Sequence, residues 1–528
     1  MDLHGMMEQP AGPKPGSSLM ERYESLVGTR SPYLDRARDY ADFTLNWLLP
    51  ETATPSGESN QHGWQSLGAQ LVRHLANKIT QTLFPTQQPF FAFAFTEQMK
   101  EDLEEQGFKP DELGQALIKL RNKAMEDHHK TVPRIELIKA MINLIITGNG
   151  LLYRPTKDGK FNMVPMDRYV IRRDASGNLL ELVTVQMRHL YTFSREEQEQ
   201  IKKSPKFKQL KDSMQIPLYT SQTLEQDGKY RIKQEALESP VGRQYLTAPE
   251  DSPFLPLVWM LNYGEHWGRG LVEEHAGDLY VYGFLMESLA KGMALMADVK
   301  YLVKPGSAID VDHAITSPTG EWLTGNIEDV GILQLERYAD FTPIANVADE
   351  YKRRLGQAFL LASAVRRDAE RVTTYELRLD ANELENSLGG MYSHMSDSLQ
   401  KPLAQMHMQA ALDSAAADLS RMIKEGTRPV ILTGTEALGK ASELDKIVQF
   451  GEIMQLPNTW PEEVREQVNF GTYTAKVSNL LHMDGSWLLT AKQVAENRAR
   501  KQQAAMAQQA AAEASKAAPQ LLTEQTQE

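Results

Sequence analysis

Hydrophobic residues near the start of the chain recur with a helical period. Apolar positions on Tyr33, Ala37 and Tyr40 predict a helix that begins at Ser31-Pro32, because serine is a good N-cap and proline is tolerated in the first helical turn. A second helix is predicted to end before Pro85, with its apolar residues on one face. These residues are Trp64, Leu67, Leu71, Leu75, Ile79 and Leu83.

A change from helical to strand periodicity follows. A further apolar helix is predicted to begin at Pro133 and to end at Gly148. The turn residues Lys157 to Lys160 then indicate a β-hairpin. Strands are predicted at 91–95, 151–154, 161–164, 169–173, 179–190, 230–236 and 254–262. The chain is therefore expected to be α+β and mostly helical.

Two helical stretches then flank a short segment of different character. Residues 271–301 contain no proline, and 343–363 again follow a helical pattern. Between them, residues 303–341 are punctuated by Gly, Pro and Asp and contain short strand-like pieces. The pattern predicts a helix, a small module and a second helix.

The next stretch joins an arginine-bearing loop to a long apolar stripe. Thr373 and Glu376 have the spacing of a capping box. The helix is predicted to run about 28 residues, roughly 42 Å, until Pro402 interrupts it. Gly389 and Gly390 would weaken or kink it midway. Its stripe consists of Leu377, Leu384, Leu388, Met391, Met395 and Leu399.

Composition limits the possible functions. The chain has 528 residues, enough for two to four structural units, and no cysteine, which excludes disulfides, thiolate metal sites and cysteine nucleophiles. That composition suits a reducing cytoplasm. The formal net charge is −13. A protein that holds nucleic acid tightly normally has a basic surface, so any contact with DNA is expected to be local, weak or transient.

The two ends of the sequence differ in composition from the rest, and the C-terminal end is either a helix that joins the fold or a solubilising extension. Residues 1–18 are expected to be a disordered lead without the pattern of a secretory signal. Residues 491–528 are expected to form an Ala/Gln-rich helix and a polar tail. The longest apolar run, 135–146, is too short to span a bilayer, so no membrane association is expected.

Residues 434–441 come close to the phosphate-binding pattern G-x-x-x-x-G-K-[ST]. A strand-like run precedes Gly434, and Gly439 and Lys440 occupy the expected positions. However, Ala441 lacks the hydroxyl that would bind Mg²⁺, and Glu436 places a carboxylate inside the loop. We interpret the motif as a turn that opens a structural helix. A nucleotide-binding enzyme is kept as an alternative.

Other motifs give weaker evidence for a metal site or a catalytic site. Asp310, Asp312 and His313 could begin a calcium loop, but Ile315 stands where glycine is required, so a solvated loop is expected. Three histidines lack the spacing of a zinc protease and are interpreted as ordinary polar residues: His128, His129 and His407. No catalytic residue, metal site or cofactor site is predicted, and the protein is not expected to be an enzyme.

The loop before the long helix carries mixed charges. It contains Arg366, Arg367 and Arg371 together with Asp368 and Glu370. One interpretation is a solvated connection between helices. The other is a loop that meets phosphate backbone without holding it, since the acidic residues dilute the guanidinium groups.

Several runs in this order are similar to one known family. The sequence resembles the portal, or head-to-tail connector, proteins of short-tailed double-stranded DNA phages of the podovirus and autographivirus type. The similarity covers about residues 20–490. The runs that carry it are SPYLDRARDYADFTLNWLLP, GWQSLGAQLVRHLANKITQTLFP, LIITGNGLLY, RYVIRRDASGNLLELVT, GRGLVEEHAGDL, LTGNIEDVGILQLERYADFT and RVTTYELRLDANELENSLGGMYS.

The resemblance implies a portal fold with a wing, stem, clip and crown, assembled as a ring that typically has twelve subunits. Arg366, Arg367 and Arg371 then become candidate DNA contacts in the channel, and Gly389 and Gly390 the kink of a spine helix. The implied divisions are a wing at 19–270, stem helices at 271–302 and 343–363, a clip at 303–342, a channel loop at 364–372, a wing spine at 373–426 and a crown at 427–490.

The resemblance also implies a function. Such a ring occupies one capsid vertex of the virion, conducts double-stranded DNA during packaging and ejection, and binds first the terminase and then the tail. Implied partners are the major capsid and scaffolding proteins, tail adaptor or nozzle proteins at the clip, and internal core proteins at the crown, with assembly in the host cytoplasm. Another oligomeric structural protein of the virion is the remaining alternative.

Overall fold

The computed structural model describes residues 18–50, 63–86, 89–96, 98–99, 105, 110–156, 159–207, 215–297, 300–322, 324–333, 341–361, 374–413 and 430–433, with a few positions between 453 and 477. The chain divides into two compact units, Met1–Ala437 and Leu438–Glu528, and every element named below lies in the first. In the second unit, the Tyr473 hydroxyl donates a hydrogen bond of 3.3 Å to the Ile453 carbonyl. Among the described helices, none has the length and apolar character needed to cross a bilayer.

Helices dominate the described part of the first unit. They are α1 (Leu19–Asp42), α2 (Leu67–Leu83), α3 (Pro110–Thr131), α4 (Arg134–Thr147), α5 (Arg195–Lys203), α6 (Leu271–Ala297), α7 (Val311–Thr316), α8 (Phe341–Ala358), α9 (Thr374–Ser387), α10 (Met391–Met395) and α11 (Lys401–Asp413). Gly148 ends α4 with a φ of 73°, as predicted for a glycine at a helix C-terminus.

The described strands form antiparallel sheets. They are β1 (Phe91–Ala94), β2 (Asn149–Tyr153), β3 (Asn162–Val164), β4 (Tyr169–Arg173), β5 (Leu179–His189), β6 (Gln215–Leu224), β7 (Tyr230–Ala236), β8 (Ser239–Pro240), β9 (Tyr245–Thr247), β10 (Phe254–Val258), β11 (Lys300–Val303), β12 (Val330–Leu333) and β13 (Val430–Thr433). The largest sheet has the order β4-β5-β6-β7-β8 with β9 also on β7; the others are β10-β2-β3, β11-β12 and β1-β13. This confirms the predicted α+β class.

Helix α1 begins much earlier than the predicted start at Ser31-Pro32, and that prediction is wrong. Ser18 and Glu21 form a capping box, in which each side chain accepts a 3.2 Å hydrogen bond from the other's backbone N–H. Pro32 lies inside the helix on its exposed side. The helix continues past it because one buried stripe runs along its whole length: Arg22, Leu26, Arg30, Leu34, Ala37 and Ala41.

A buried ion pair joins α1 to the large sheet. The Arg22 guanidinium donates two hydrogen bonds, of 2.9 and 2.6 Å, to the two carboxylate oxygens of Glu181 on β5. Both side chains are almost completely buried. In the main core, the rings of Tyr153 and Phe254 stack at 4.5 Å. Helix α1, the β10-β2-β3 sheet and the largest sheet all contribute residues to this core. This core is therefore closed by contacts within a single chain.

Most predicted strands are present with small shifts at their ends, but β6 was not predicted. Its buried residues Thr220, Ser221 and Gln222 interrupt the apolar alternation that marks a strand. Two of these side chains find partners in the fold. Gln234 donates to the Thr220 hydroxyl at 3.1 Å, and the Ser252 hydroxyl donates to Gln222 at 2.7 Å. The fold accommodates these polar residues because other segments of the same chain bond to the Thr220 hydroxyl and to the Gln222 side-chain oxygen.

Helices α6 and α8 are shorter than predicted. α6 ends at Ala297, and Tyr301, which was predicted to be helical, belongs to β11 because that strand pairs with β12. α8 begins at Phe341 and ends at Ala358 instead of continuing to 363. Leu360 has a left-handed backbone with a φ of 57°, which ends the helix.

Candidate functional site

Helices α6 and α8 pack side by side and carry the segment between them. Leu279 of α6 and Leu355 of α8 are completely buried. The Arg354 guanidinium of α8 lies 3.1 Å from the Asp278 carboxylate of α6. The order of helix, small module and helix that the sequence predicts is therefore present, and these contacts hold the two helices together.

The segment between these helices, residues 300–333, is called the hairpin module here. None of its described residues from 302 to 331 is buried. Trp322 is 97% exposed, and Ile315 and Ile327 are also mostly exposed. Burying a large apolar side chain contributes about 1.5–3 kcal/mol, and this module gains almost none of that within one chain. Several large apolar side chains exposed within one short segment favour a surface that another protein covers.

The candidate metal ligands in the hairpin module have a structural role. The Asp310 carboxylate accepts hydrogen bonds from the backbone N–H groups of Asp312 and His313, at 3.1 and 3.2 Å. Asp310 is therefore the N-cap of α7. His313 lies 3.9 Å from the Glu321 carboxylate, at the outer limit of an ion pair.

A basic face on α8 was not identified from the sequence. Lys352, Arg353 and Arg354 are consecutive and exposed. Arg353 pairs with Glu350 at 2.6 Å and Arg354 with Asp278, whereas Lys352 has no ion pair among the described residues. The signal in the sequence was the run of three consecutive cations itself.

Gly389 and Gly390 interrupt the predicted long helix completely. Both have left-handed backbones, with φ values of 61° and 85°, so α9 ends at Ser387 and α10 begins at Met391. The position of the kink is as predicted, but a single continuous helix is not. We call these residues the glycine break.

The Glu385 side chain links the two helices on either side of the glycine break. Glu385 of α9 accepts a 2.9 Å hydrogen bond from the Ser393 backbone and a 2.7 Å bond from its hydroxyl, on α10. It thereby satisfies an N–H at the start of the second helix. The three channel-loop candidates Arg366, Arg367 and Arg371 lie outside the described residues.

Pro402 does not end the helical run, contrary to the prediction. A π-helical turn, Ser396–Gln400, connects α10 to α11 without a gap, and Pro402 lies in the first turn of α11. Leu399 and Leu403, on either side of the proline, are completely buried and hold this irregular segment against the core.

Two histidines that the sequence analysis treated as ordinary polar residues form a buried chain of hydrogen bonds. His407 Nδ1 donates to the Asp127 carboxylate at 2.7 Å, and its Nε2 lies 3.2 Å from His128 Nδ1. Burial lowers the pKa of His407, although the bond to Asp127 opposes this. Burial and the adjacent His407 hold the pKa of His128 well below its usual range. The contact ties α11 to α3, and no local sequence signal links residues this far apart.

The strand before the near-phosphate loop has the wrong context for nucleotide binding. β13 pairs antiparallel with β1, from Val430 opposite Ala94 to Thr433 opposite Phe91. Strand–loop–helix phosphate sites belong to βαβ units, whose strands are parallel. Thr433 also accepts a 2.9 Å hydrogen bond from Ser396. Gly434, Gly439 and Lys440 lie outside the described residues.

Comparison with known proteins connects these features. The profile of a family described as bacteriophage head to tail connecting protein matches residues 17–489. The chain is 40% identical to the portal protein of Enterobacteria phage SP6 over 488 residues, which is 92% of this chain and 93% of that protein. It is 32% identical to the portal protein of Escherichia phage T7 over 475 residues, 88% of this chain and 87% of that protein.

Solved structures give a weaker match. The neck of an empty GTA particle, computed with C6 symmetry, covers 80% of this chain and 90% of that chain at 11% identity, with a TM-score of 0.37. A TM-score this low supports no conclusion about this chain. The family profile, in contrast, spans α1, the helix pair, the hairpin module and the glycine break. The chain therefore belongs to the family of bacteriophage head to tail connecting proteins.

Proposed function

We propose that the protein is a portal subunit. Copies of it form a ring at one capsid vertex, through which double-stranded DNA passes during packaging and ejection. The same ring binds the terminase and later the tail. The observation that carries this proposal is the 40% identity to the SP6 portal protein across nearly the whole of both chains. Its role is structural, and no catalytic group is assigned.

The helix pair and the hairpin module support assembly into a ring. A head-to-tail ring needs two different complementary surfaces on each subunit. One chain leaves the apolar side chains of Trp322, Ile315 and Ile327 uncovered. Helix α6 also exposes Tyr280 and Phe284 along one face. Neighbouring subunits and a tail adaptor are the partners expected to bury these groups.

The divisions of the portal fold are part of the proposal. We assign the wing to 19–270, the stem to the helix pair, the clip to the hairpin module and the crown to 427–490. The channel loop at 364–372 and the spine from 373 complete the chain. Twelve subunits, contacts with major capsid and scaffolding proteins, and internal core proteins at the crown belong to the same proposal, as do the virion vertex and assembly in the host cytoplasm.

The acidic charge of the chain suits a conduit. Every subunit carries a formal charge of −13, so most of a ring repels DNA and lets it slide. Arg366, Arg367 and Arg371 are the proposed local contacts that slow or retain it. Lys352 of α8, exposed and without an ion pair among the described residues, is a candidate for a further contact.

Electron microscopy of the purified protein tests the proposal directly. Negative-stain images should show rings with a central hole, and native mass spectrometry should give one closed stoichiometry. Monomers or open filaments at all concentrations would contradict it.

The DNA contact is tested separately in assembled particles. Replacing Arg366, Arg367 and Arg371 together by alanine should leave rings intact and lower the amount of DNA retained after packaging. A matched control removes three wing arginines instead: Arg195, Arg231 and Arg243. Equal retention in both variants would exclude the channel-loop contact but not the portal function.

A further inference from the structure

A groove lies beside the glycine break. Its volume is about 860 Å³, within the range of pockets that bind ligands or peptide segments. Arg173 at the end of β4 and Ser176 in the turn after it line the groove, together with the end of β10 and the start of α6. Ser387, Gly389 and Gly390 form its rim. Because a side chain added at Gly389 would meet no atom within 4 Å, the groove is open at this edge.

Arg173 is a buried cation without an anionic partner. Only 7% of its surface is exposed. One guanidinium nitrogen donates a 2.9 Å hydrogen bond to the Gly177 carbonyl, while its Nε has no hydrogen-bond partner. No carboxylate of the described residues forms an ion pair with it. Burial lowers the pKa of Arg173, which is the direction expected when a guanidinium loses water without gaining a counter-charge.

The other ionisable groups of the groove do not compensate this charge. His394 Nε2 lies 3.0 Å from the Val258 carbonyl, and the His275 ring packs against Phe359. Glu274 lines the groove but forms no ion pair with Arg173. Leaving a buried charge unpaired is costly, typically several kcal/mol, so proteins normally pair such groups. A carboxylate brought into the groove would therefore supply the counter-charge that Arg173 lacks among the described residues.

We propose that this groove receives a carboxylate-bearing apolar segment of the neighbouring subunit in the ring. The proposal rests on the proposed function, because it requires a second copy of the chain. A second copy has the right chemistry, since the chain has 70 acidic residues against 57 basic ones. The apolar walls contributed by Trp259, Leu261 and Leu388 suit a peptide segment better than a free anion.

The carboxylate of the neighbour would complete the coordination of Arg173 only after assembly. The contact then favours closed rings over free subunits. It also places a subunit contact at the glycine break, between the proposed spine and the first turn of α6. Through this contact, a movement of one subunit would be transmitted to the proposed spine helix of the next subunit.

Chemical labelling tests occupation of the groove. The chain contains no cysteine, so Ser387→Cys provides a single reactive thiol on the exposed rim. Maleimide should label it rapidly in free subunits and about tenfold or more slowly in rings. Gln226→Cys, in the exposed turn between β6 and β7, is the control and should react equally in both states. Equal rates at Ser387→Cys would overturn the proposal while leaving rings, and hence the proposed function, intact.

Substitution of the arginine tests the charge. Arg173→Met should raise the protein concentration needed for half-assembly by about tenfold or more, because the incoming carboxylate loses its partner. Arg231→Met removes an arginine that already pairs with Glu225 at 2.6 Å, and it should leave assembly unchanged. Native mass spectrometry across a dilution series gives both values. Assembly of Arg173→Met at the wild-type concentration would overturn the proposal.

Inorganic phosphate distinguishes a free anion from a neighbouring subunit. If phosphate alone protects Ser387→Cys in unassembled subunits, the groove is an anion site and the proposal is wrong. The expected result is no protection by phosphate and full protection in rings. If Arg173→Met fails to fold, the labelling of Ser387→Cys still decides the question. A wild-type chain that forms no rings would overturn both this proposal and the proposed function.

Discussion

Trp267 and Trp322 show the difference between two regions of this chain. Trp267 lies in the main core, in the proposed wing, and is completely buried, whereas Trp322 in the hairpin module is 97% exposed. Around Trp267 the chain closes on itself, with the Tyr169 ring 5.3 Å away and the stacked rings of Tyr153 and Phe254 in the same core. Around Trp322, no described residue from 302 to 331 is buried. The same type of side chain thus contributes to folding in one region and is available for assembly in the other.

This difference indicates how the stability of the protein is divided. A wing that buries its own apolar groups can fold before it meets another subunit. A module that buries nothing depends on its neighbours for the hydrophobic free energy that it lacks. Substitutions in the wing should therefore change the free energy of unfolding of free subunits, while substitutions in the module should change assembly.

The largest loss of stability is expected for Glu181→Gln in the wing. The substitution removes the carboxylate of a buried ion pair with Arg22, and breaking such a pair typically costs about 3–5 kcal/mol. Chemical denaturation of free subunits measures this loss. Glu225→Gln breaks a half-exposed pair with Arg231 and should cost at most about 1 kcal/mol. Similar losses in both variants would show that the buried pair contributes no more to the free energy of unfolding than the half-exposed pair.

A smaller loss is expected when the glycine break receives a side chain. Gly390→Ala should destabilise free subunits by about 1–2 kcal/mol, because alanine disfavours the left-handed backbone with a φ of 85°. No steric clash adds to this, since the nearest atom to a new Cβ lies at 3.9 Å. Thermal unfolding of free subunits measures this loss of stability. Gly277→Ala, inside α6 with open space around it, should instead be stabilising. The reverse order would contradict the assigned backbone.

Acid should loosen α11 from α3 before it unfolds the remainder of the wing. Burial lowers the pKa of His407 and of His128 from the ordinary value of 6.5. The unfolded chain therefore takes up protons first, so stability is fully present above about pH 6.5 and is lost as the pH falls through the lowered values. Hydrogen exchange of α11 at pH 7.5 and 5.5 measures this. His407→Gln should reduce the pH dependence of hydrogen exchange in α11, and the exposed control His313→Gln should leave that dependence unchanged.

The smallest effect on unfolding is expected for Trp322→Ala. Free subunits should keep their stability within about 0.5 kcal/mol, because the side chain contacts little in one chain. Ring formation or adaptor binding should weaken in the same variant, as measured by native mass spectrometry. A large loss of stability in free subunits would show that the module has a core after all, and the contrast with the wing would fail.

Much of the fold follows from local patterns in the sequence. Periodicity identified α2, α4 and most strands, and it placed the hairpin module between two helices. It failed where one stripe continued past Pro32, and where buried polar residues such as Thr220 and Gln222 occupy a central strand. In both places tertiary contacts outweigh the local signal.

The candidate site was less accessible to sequence reasoning. Gly389 and Gly390 were identified because paired glycines are unusual inside an apolar helical stripe. The contact of His407 with His128, and the lack of an anionic partner for Arg173 among the described residues, depend on which distant residues the fold brings together. Arg366, Arg367 and Arg371 stay predictions, since they lie outside the described residues.

The pairing of β1 with β13 constrains the order of events during synthesis. Phe91 and Phe93 are buried beside a strand that leaves the ribosome more than three hundred residues later. Until then, β1 has an open edge and two phenylalanines without their final cover, a combination that promotes aggregation. Chains truncated before Val430 should therefore be insoluble even though the wing is complete, and chaperones should bind nascent chains in this interval.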